Sequence, residues 1–276
     1  MENTLGANMN YTLITGSTGG LGGAYAIECA KRGYNLFLTG TRNDKLKLKK
    51  EELIREYPSI KIEYFACDLT NEDNRRDMLK HINQMGITIN RIILNAGIDF
   101  EGPILEKSPD EIMRVVKVNI ESTIHLFHMA LLQRVPDEKF YVLVVSSLAG
   151  YYAMPQKAIY SSSKAMLTNF FTSIHEELKD YNVNVSIVCP GGMPTTQEMI
   201  NSIKAQGVMG KWSSTPVEKV AKMSLHALDK NKLITIPGGF NKLLRRISFP
   251  LSRRFVASKI NNRWKKTRKK AKELGN

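Results

Sequence analysis

Cysteine is scarce in this sequence: Cys29, Cys67 and Cys189 are the three among 276 residues. Their spacing fits neither a disulfide framework nor a zinc site, and no nucleophile context surrounds them. They read as buried thiols in a reducing compartment, the cytoplasm. Histidine is nearly as rare. His125 and His128 stand at i, i+3, but without a carboxylate or third ligand they indicate a helix surface or a subunit interface, not a metal. His81, His175 and His226 have no motif context. No apolar run approaches the ~20 residues of a membrane-crossing helix. Residues 1–9 contain no Lys or Arg and no apolar stretch, which argues against a cleaved signal peptide.

Charge is abundant but unevenly placed. The net charge is +14, and residues 241–276 hold thirteen Lys or Arg against the single acid Glu273. That leaves a net of +2 for residues 1–240, ordinary for a metabolic enzyme. The basic character belongs to a tail. No recognition fold accompanies it, so nucleic acid is not an expected partner.

Hydrophobic residues make up 42% of the chain, enough for one large α/β domain. Strand-like runs are expected at residues 11–15, 35–39, 61–66, 91–94, 140–146, 183–188 and 233–236. Helical stretches alternate with them at 21–32, 46–57, 74–84, 109–132, 158–181 and 215–229. Ser108 before Pro109 reads as a cap followed by a first-turn proline. The strands are short, apolar and not alternating. That pattern predicts a doubly wound parallel sheet of six or seven strands with helices on both faces, in a single domain over residues 1–240. Residues 241–276 read as a basic, partly amphipathic extension.

Between the first strand and first helix stands Thr15-Gly16-Ser17-Thr18-Gly19-Gly20-Leu21-Gly22. Glycine suits a sharp turn where backbone approaches a pyrophosphate closely and the helix packs on its strand. The helix N-terminus then offers free N–H groups to phosphate. Alone, such a turn is also a plain tight β-α connection. Its position at the start of a βαβ unit favours dinucleotide binding. Where an NAD-preferring fold would place an acid, at the end of the second strand, the sequence has Thr39-Gly40-Thr41-Arg42. Arg42 could pair with a 2′-phosphate, so NADP(H) is expected, with NAD(H) as the alternative if Asp44 plays the acidic role.

Taken together, these motifs resemble the short-chain dehydrogenase/reductase family, in its small single-domain branch, from about Asn10 to Gly239. The turn fits the family's T-G-x-x-x-G-x-G through Thr15, Gly16, Gly20 and Gly22. It also fits T-G-x-x-G-x-x-G through Gly19 and Gly22, the form of longer, epimerase-like relatives. Asp68 matches the acid that contacts adenine, and Asn95-Ala96-Gly97 matches the family's N-A-G. Asn119 falls where a catalytic asparagine is expected. Ser147 precedes Tyr160 by thirteen residues, and Tyr160 with Lys164 forms Y-x-x-x-K. Pro190, Gly191 and Thr195 match P-G-x-x-x-T, the segment that faces the nicotinamide.

The resemblance implies a Rossmann-type fold and interconversion of a carbonyl and a secondary alcohol. Tyr160 would be the general acid/base and Ser147 would hydrogen-bond the developing alkoxide. Asn119 would hold a water leading to Lys164. Tyr160 and Lys164, four apart, share a helix face. The ammonium is expected to lower the phenol's pKa and, by resemblance, to hold the nicotinamide ribose. Cofactor contacts are also expected from Ser17 and Leu21. A homodimer or homotetramer through the helices at 109–132 and 158–181 is implied as well.

Met193, Met199 and Met209, after the Pro-Gly turn, could line an adaptable pocket or simply pack. A lipophilic substrate, 3-oxoacyl or steroid-like, is the favoured class. A non-catalytic dinucleotide-sensing scaffold and a membrane-surface adaptor are the alternatives. The second alternative arises from the tail, where Leu243, Leu244, Ile247, Leu251, Phe255, Ile260 and Trp264 recur at helical spacing between cations. This stripe suits peripheral contact with an anionic membrane, or packing over the substrate entrance.

Overall fold

In a computed structural model, residues 9–274 are described, except for the side chains of Glu198, Ser202, Ala205 and residues 266–274. The expectation for the N-terminal segment and the charges beyond Lys265 therefore fall outside the described side chains.

Seven parallel strands form one sheet: β1 (Met9–Thr15), β2 (Asn35–Gly40), β3 (Ile62–Ala66), β4 (Ile87–Leu94), β5 (Phe140–Val145), β6 (Val183–Val188) and β7 (Ile234–Thr235). Their order is β3-β2-β1-β4-β5-β6-β7. Central strands such as β5 are buried over nearly their whole length, which explains why they read as continuous apolar runs. Helices α1 (Gly20–Lys31), α2 (Asn43–Glu56) and α3 (Glu72–Gln84) follow the first three strands. After β4 come α4 (Pro109–Val116), a π-turn at Lys117–Glu121 and α5 (Ser122–Leu132). Helix α6 (Ala158–Glu177) follows β5. Helices α7 (Gln197–Ala205), α8 (Gly207–Ser213) and α9 (Val217–Asp229) lie between β6 and β7. Helices α10 (Gly239–Ser248) and α11 (Arg253–Leu274) end the chain.

Two cores result, one on each face of the sheet. On one face α1, α2 and α9 bury Tyr25, Leu46, Leu53 and Leu225. On the other, α3, α5 and α6 bury Met78, Phe127 and Phe171. Phe127, Phe170 and Phe171 meet edge to face at 5.0–6.3 Å between centroids, each pair worth about 1 kcal/mol beyond burial.

The expected single helix over 109–132 is one helical path, started by a Ser108–Glu111 capping box and interrupted by the π-turn. Helix α6 stops at Glu177, short of the expected residue 181, because the chain must turn back into β6. Asn182 makes that turn with φ of 57°. Helix α9 starts after Pro216, whose ψ of 141° is not helical and whose ring keeps Thr215 out of the helical region, and the Thr215 N–H bonds the Gly192 carbonyl at 2.9 Å. His125 is engaged through its Nδ1, which accepts from Arg75 Nε at 3.2 Å, so it serves an internal bridge. Burial holds its pKa below the usual value. All three cysteines are free and buried, and burial pushes the Cys29 thiol up to about 12.

The tail divides the two readings of its apolar stripe. Asn241 is fully buried and donates to the carbonyls of Ser213 and Pro237 at 3.0 and 2.8 Å. The Ser248 hydroxyl meets that of Tyr152 at 3.0 Å, and the Arg245 guanidinium lies 4.4 Å from the Tyr151 ring. Leu243 and Ile247, by contrast, stand 54% and 60% exposed on the outer side of α10.

Candidate active site

Strand order reverses between β1 and β4, and a doubly wound sheet opens a ligand crevice at that point, outside the strand ends. Thr15 closes β1. Its Oγ1 accepts from the backbone N–H groups of Asn95 and Ala96, both at 3.0 Å. Asn95 Nδ2 in return donates to the carbonyls of Thr15 and Gly16 at 3.0 and 3.3 Å. These bonds lock the ends of β1 and β4 together.

Gly16 has φ of +65°, and a Cβ there would lie 3.2 Å from Ala96 Cα. A Cβ on Gly22 would strike the Gly16 carbonyl, so the turn and α1 can meet only at glycine. A Cβ on Gly20 would come 2.8 Å from Thr195 Cβ, which places the segment from Pro190 through Gly191 to Thr195 over the turn. Leu21 is buried and holds α1 down, and no side chain caps the N–H groups at its start. An open helix N-terminus above a glycine cradle fits the pyrophosphate of a dinucleotide.

Not every expected contact faces the crevice. Ser17 is fully buried, and its N–H and hydroxyl both donate to the Thr39 carbonyl, at 3.0 and 3.1 Å. It fastens the turn to β2, which leaves neither donor for a phosphate. Asp68 Oδ1 accepts from the N–H and hydroxyl of Thr70 at 2.9 and 2.8 Å. The Thr70 N–H holds that carboxyl below its usual pKa, so Asp68 stays an acceptor at neutral pH. Arg42 precedes α2, but its guanidinium is gripped through Nε and Nη2 by Asp44.

Beyond the turn, the candidate catalytic groups converge on α6. Lys164 is buried, and its Nζ donates to the Val145 carbonyl at 2.8 Å. A Cβ on Gly97 would lie 3.1 Å from that Nζ, so glycine gives the ammonium its room. Burial lowers Lys164 to a pKa of about 8. Ser147 lies beside Tyr160, near enough to act on its phenol, and the Lys164 Nζ stands 5.8 Å from the Tyr160 ring centroid. The expected lowering of the phenol's pKa is not what this geometry gives. Burial raises it, the neighbouring Ser147 hydroxyl pulls it back in part, and nearby Asp99 adds to the rise.

Asn119 sits in the π-turn and is fully buried. Its Oδ1 accepts from the Ile98 N–H at 2.8 Å, and its Nδ2 donates to the Ile98 carbonyl and Ser163 Oγ, both at 3.0 Å. The side chain is thus spent tying the β4 loop to α6. A water at Asn119 would need its main-chain carbonyl instead.

A family model described as short chain dehydrogenase matches residues 10–206. The chain belongs to the short-chain dehydrogenase/reductase family. Enzymes of this family bind nicotinamide dinucleotides. Among curated relatives, the very-long-chain 3-oxoacyl-CoA reductase of Vanderwaltozyma polyspora is 31% identical over 192 residues, covering 66% of this chain and 54% of its own. A Caenorhabditis elegans protein named provisionally as a steroid dehydrogenase is 32% identical over 184 residues, covering 64% and 67%. The matched region therefore spans roughly half to two thirds of these relatives. A 7β-hydroxysteroid dehydrogenase structure aligns with TM-score 0.81 at 19% identity, over 92% of this chain and all of its own. A short-chain dehydrogenase from Sphingobium yanoikuyae in complex with NADPH aligns with TM-score 0.72 at 22% identity, over 96% and 94%. The likeness to both solved structures is one of fold.

Three side chains of this short-chain dehydrogenase, Lys157, Asp99 and Glu101, were not legible as neighbours of the site. Lys157 immediately precedes α6, three residues before Tyr160. It bridges Asp99 Oδ2 at 2.6 Å and Glu101 Oε2 at 2.9 Å, and its Nζ lies 5.9 Å from the Tyr160 ring. The bridge joins the β4 loop to the helix carrying Tyr160. No sequence motif links residues 58 positions apart.

Proposed function

We propose that this chain is a nicotinamide-dependent reductase of a carbonyl on a lipophilic substrate, a 3-oxoacyl chain or a steroid-like ketone, with NADP(H) preferred and NAD(H) the alternative. The observation that carries the reading is the gathering of Ser147, Tyr160 and the buried Lys164 in one place, with Tyr160 and Lys164 one turn apart on α6. The bound cofactor supplies hydride. Ser147 and the Tyr160 hydroxyl hydrogen-bond the substrate oxygen, and Tyr160 gives it a proton as charge develops there. A phenol whose pKa is raised stays protonated at physiological pH, which suits an acid and hence the reducing direction. Lys164, with its pKa near 8, is protonated at pH 7 yet can release that proton, so it can resupply Tyr160.

The Arg42 guanidinium at the start of α2 supports NADP(H), with Asp44 competing for it. Names of the relatives support an acyl or steroid skeleton. Exposed Met113 on α4 and Met166 on α6 support a homo-oligomer through those helices. Three buried thiols are compatible with a cytoplasmic setting. The test is NADPH oxidation with 3-oxoacyl thioesters, steroid ketones and short ketones in parallel. Turnover of at least one of the first two classes, above that of the short ketones, is expected. A chain that binds NADPH and turns over none of them would be a binding scaffold instead.

A further inference from the structure

Helices α8, α10 and the start of α11 leave an apolar surface in water that catalysis does not use. Trp212, Leu243, Ile247, Phe249 and Phe255 are 49–74% exposed. The three helices adjoin: Trp212 meets the Phe240 ring at 5.7 Å, and Arg263 of α11 reaches Met209 Sδ of α8 at 3.4 Å. Scattered exposed apolar residues need no explanation, but a continuous patch marks a contact surface.

The same surface is basic. Lys211, Lys242, Arg246, Arg253, Arg254 and Lys259 are exposed, and none has an acidic partner among the described residues. No Asp or Glu occurs at residues 199–217 or 230–272. On α10 the rows alternate: Leu243 and Ile247 lie at i, i+4, and Lys242 and Arg246 form the row beside them. Long cationic side chains in such rows can lay their stems along apolar neighbours and keep their charges at a polar interface.

We propose that this face docks the enzyme on an anionic lipid surface, lying on it and not spanning it. No helix among the described residues is long and apolar enough to cross a membrane. A second copy is a poor occupant, because a symmetric contact would press these cations against their own kind. Nucleic acid would engage the cations and leave Leu243, Ile247 and Phe249 in water. Anionic lipid satisfies both sets. The face adjoins the reaction site through Tyr152–Ser248, Arg245–Tyr151 and the burial of Asn241 against Gly191. A lipophilic carbonyl, the substrate class proposed above, could then pass from the bilayer to Tyr160.

The experiment is sedimentation of the full chain with phosphatidylcholine vesicles, with and without phosphatidylserine, at low and high salt. It reads binding without turnover, so it stands whether or not the proposed activity does. Each cation near an anionic surface is worth roughly fivefold in partitioning. At least tenfold tighter binding to the anionic vesicles at low salt is expected, lost in Lys242→Glu/Arg246→Glu and weakened at least threefold in Leu243→Ser/Ile247→Ser. Thermal melts check that both variants fold. Trp212 emission should shift to the blue on binding, read in Trp264→Phe to remove the second tryptophan. No binding at low salt, equal binding to both vesicles, or binding indifferent to either variant would overturn the proposal. Self-association abolished by the same variants would overturn it too, in favour of a second copy.

Discussion

Lys164 carries a charge where water is excluded and no carboxylate touches it, its Nζ donating to the Val145 carbonyl. Its pKa falls from 10.5 to about 8 on folding, so between those values the unfolded chain binds more protons and stability rises with pH. Below pH 8 the buried charge costs about 3 kcal/mol. Lys164→Met would remove that cost and leave one carbonyl unpaired, a net gain of roughly 1–2 kcal/mol at pH 7. Urea melts at pH 7 and pH 10 should show the gain and then its shrinkage, with activity lost throughout. A methionine variant less stable at pH 7 would contradict this account of the site. Arg42 sets a second residue-scale test. Its guanidinium faces a choice between Asp44 and a 2′-phosphate, both fitted to its fork. Arg42→Ala should raise KM for NADPH at least ~10-fold with KM for NADH little changed, since only NADPH offers a phosphate for a charge-assisted contact. Asp44→Asn should lower KM for NADPH. Equal effects on both cofactors in steady-state kinetics would remove Arg42 from cofactor choice.

At the level of elements, the π-turn at Lys117–Glu121 is where local structure serves the site. It places Asn119 to bond Ile98 at both ends of its amide and Ser163 besides. Asn119→Ala would take their side-chain partner from the half-buried Ile98 N–H and carbonyl, costing roughly 1–2 kcal/mol and loosening the loop that carries Asp99. A urea midpoint unchanged from the parent would show that the bridge is not structural. Periodicity predicted helix across 109–132 but not the π-turn, since one extra residue per turn leaves no mark in apolar spacing. Strand interiors were most legible where both faces are apolar, as in β5. Ser17 was misplaced because a serine beside a phosphate loop and one bonding the next strand read alike. Helices α7 and α8 were not foreseen, since short helices carry too few turns for a pattern. Lys157 with Asp99 and Glu101 was hidden for another reason: the ion pairs exist only once α6 and the β4 loop are folded together.

Across the whole molecule, one topological fact gathers the parts. The chain starts mid-sheet, builds outward to β3, then returns past β1 to β4, leaving the crevice between them. The glycine turn, Asn95 and the segment from Pro190 to Thr195 close on it from three sides. Helix α6 brings Tyr160 and Lys164 from the β5 side of the sheet. In the proposed reading the phosphate cradle and the Tyr160 proton donor stand on separate elements, so the phenol hydroxyl can be removed while the cradle persists. Tyr160→Phe should keep NADPH affinity within about twofold, because the ring and the cradle persist. The most direct measurement is the paired determination of NADPH affinity and NADPH oxidation in wild type and Tyr160→Phe, with a 3-oxoacyl thioester as substrate. The account predicts turnover in the wild type and a kcat lower by at least ~100-fold in the variant, the scale of a lost general acid. A variant that binds NADPH equally well and turns over within tenfold of wild type would contradict it.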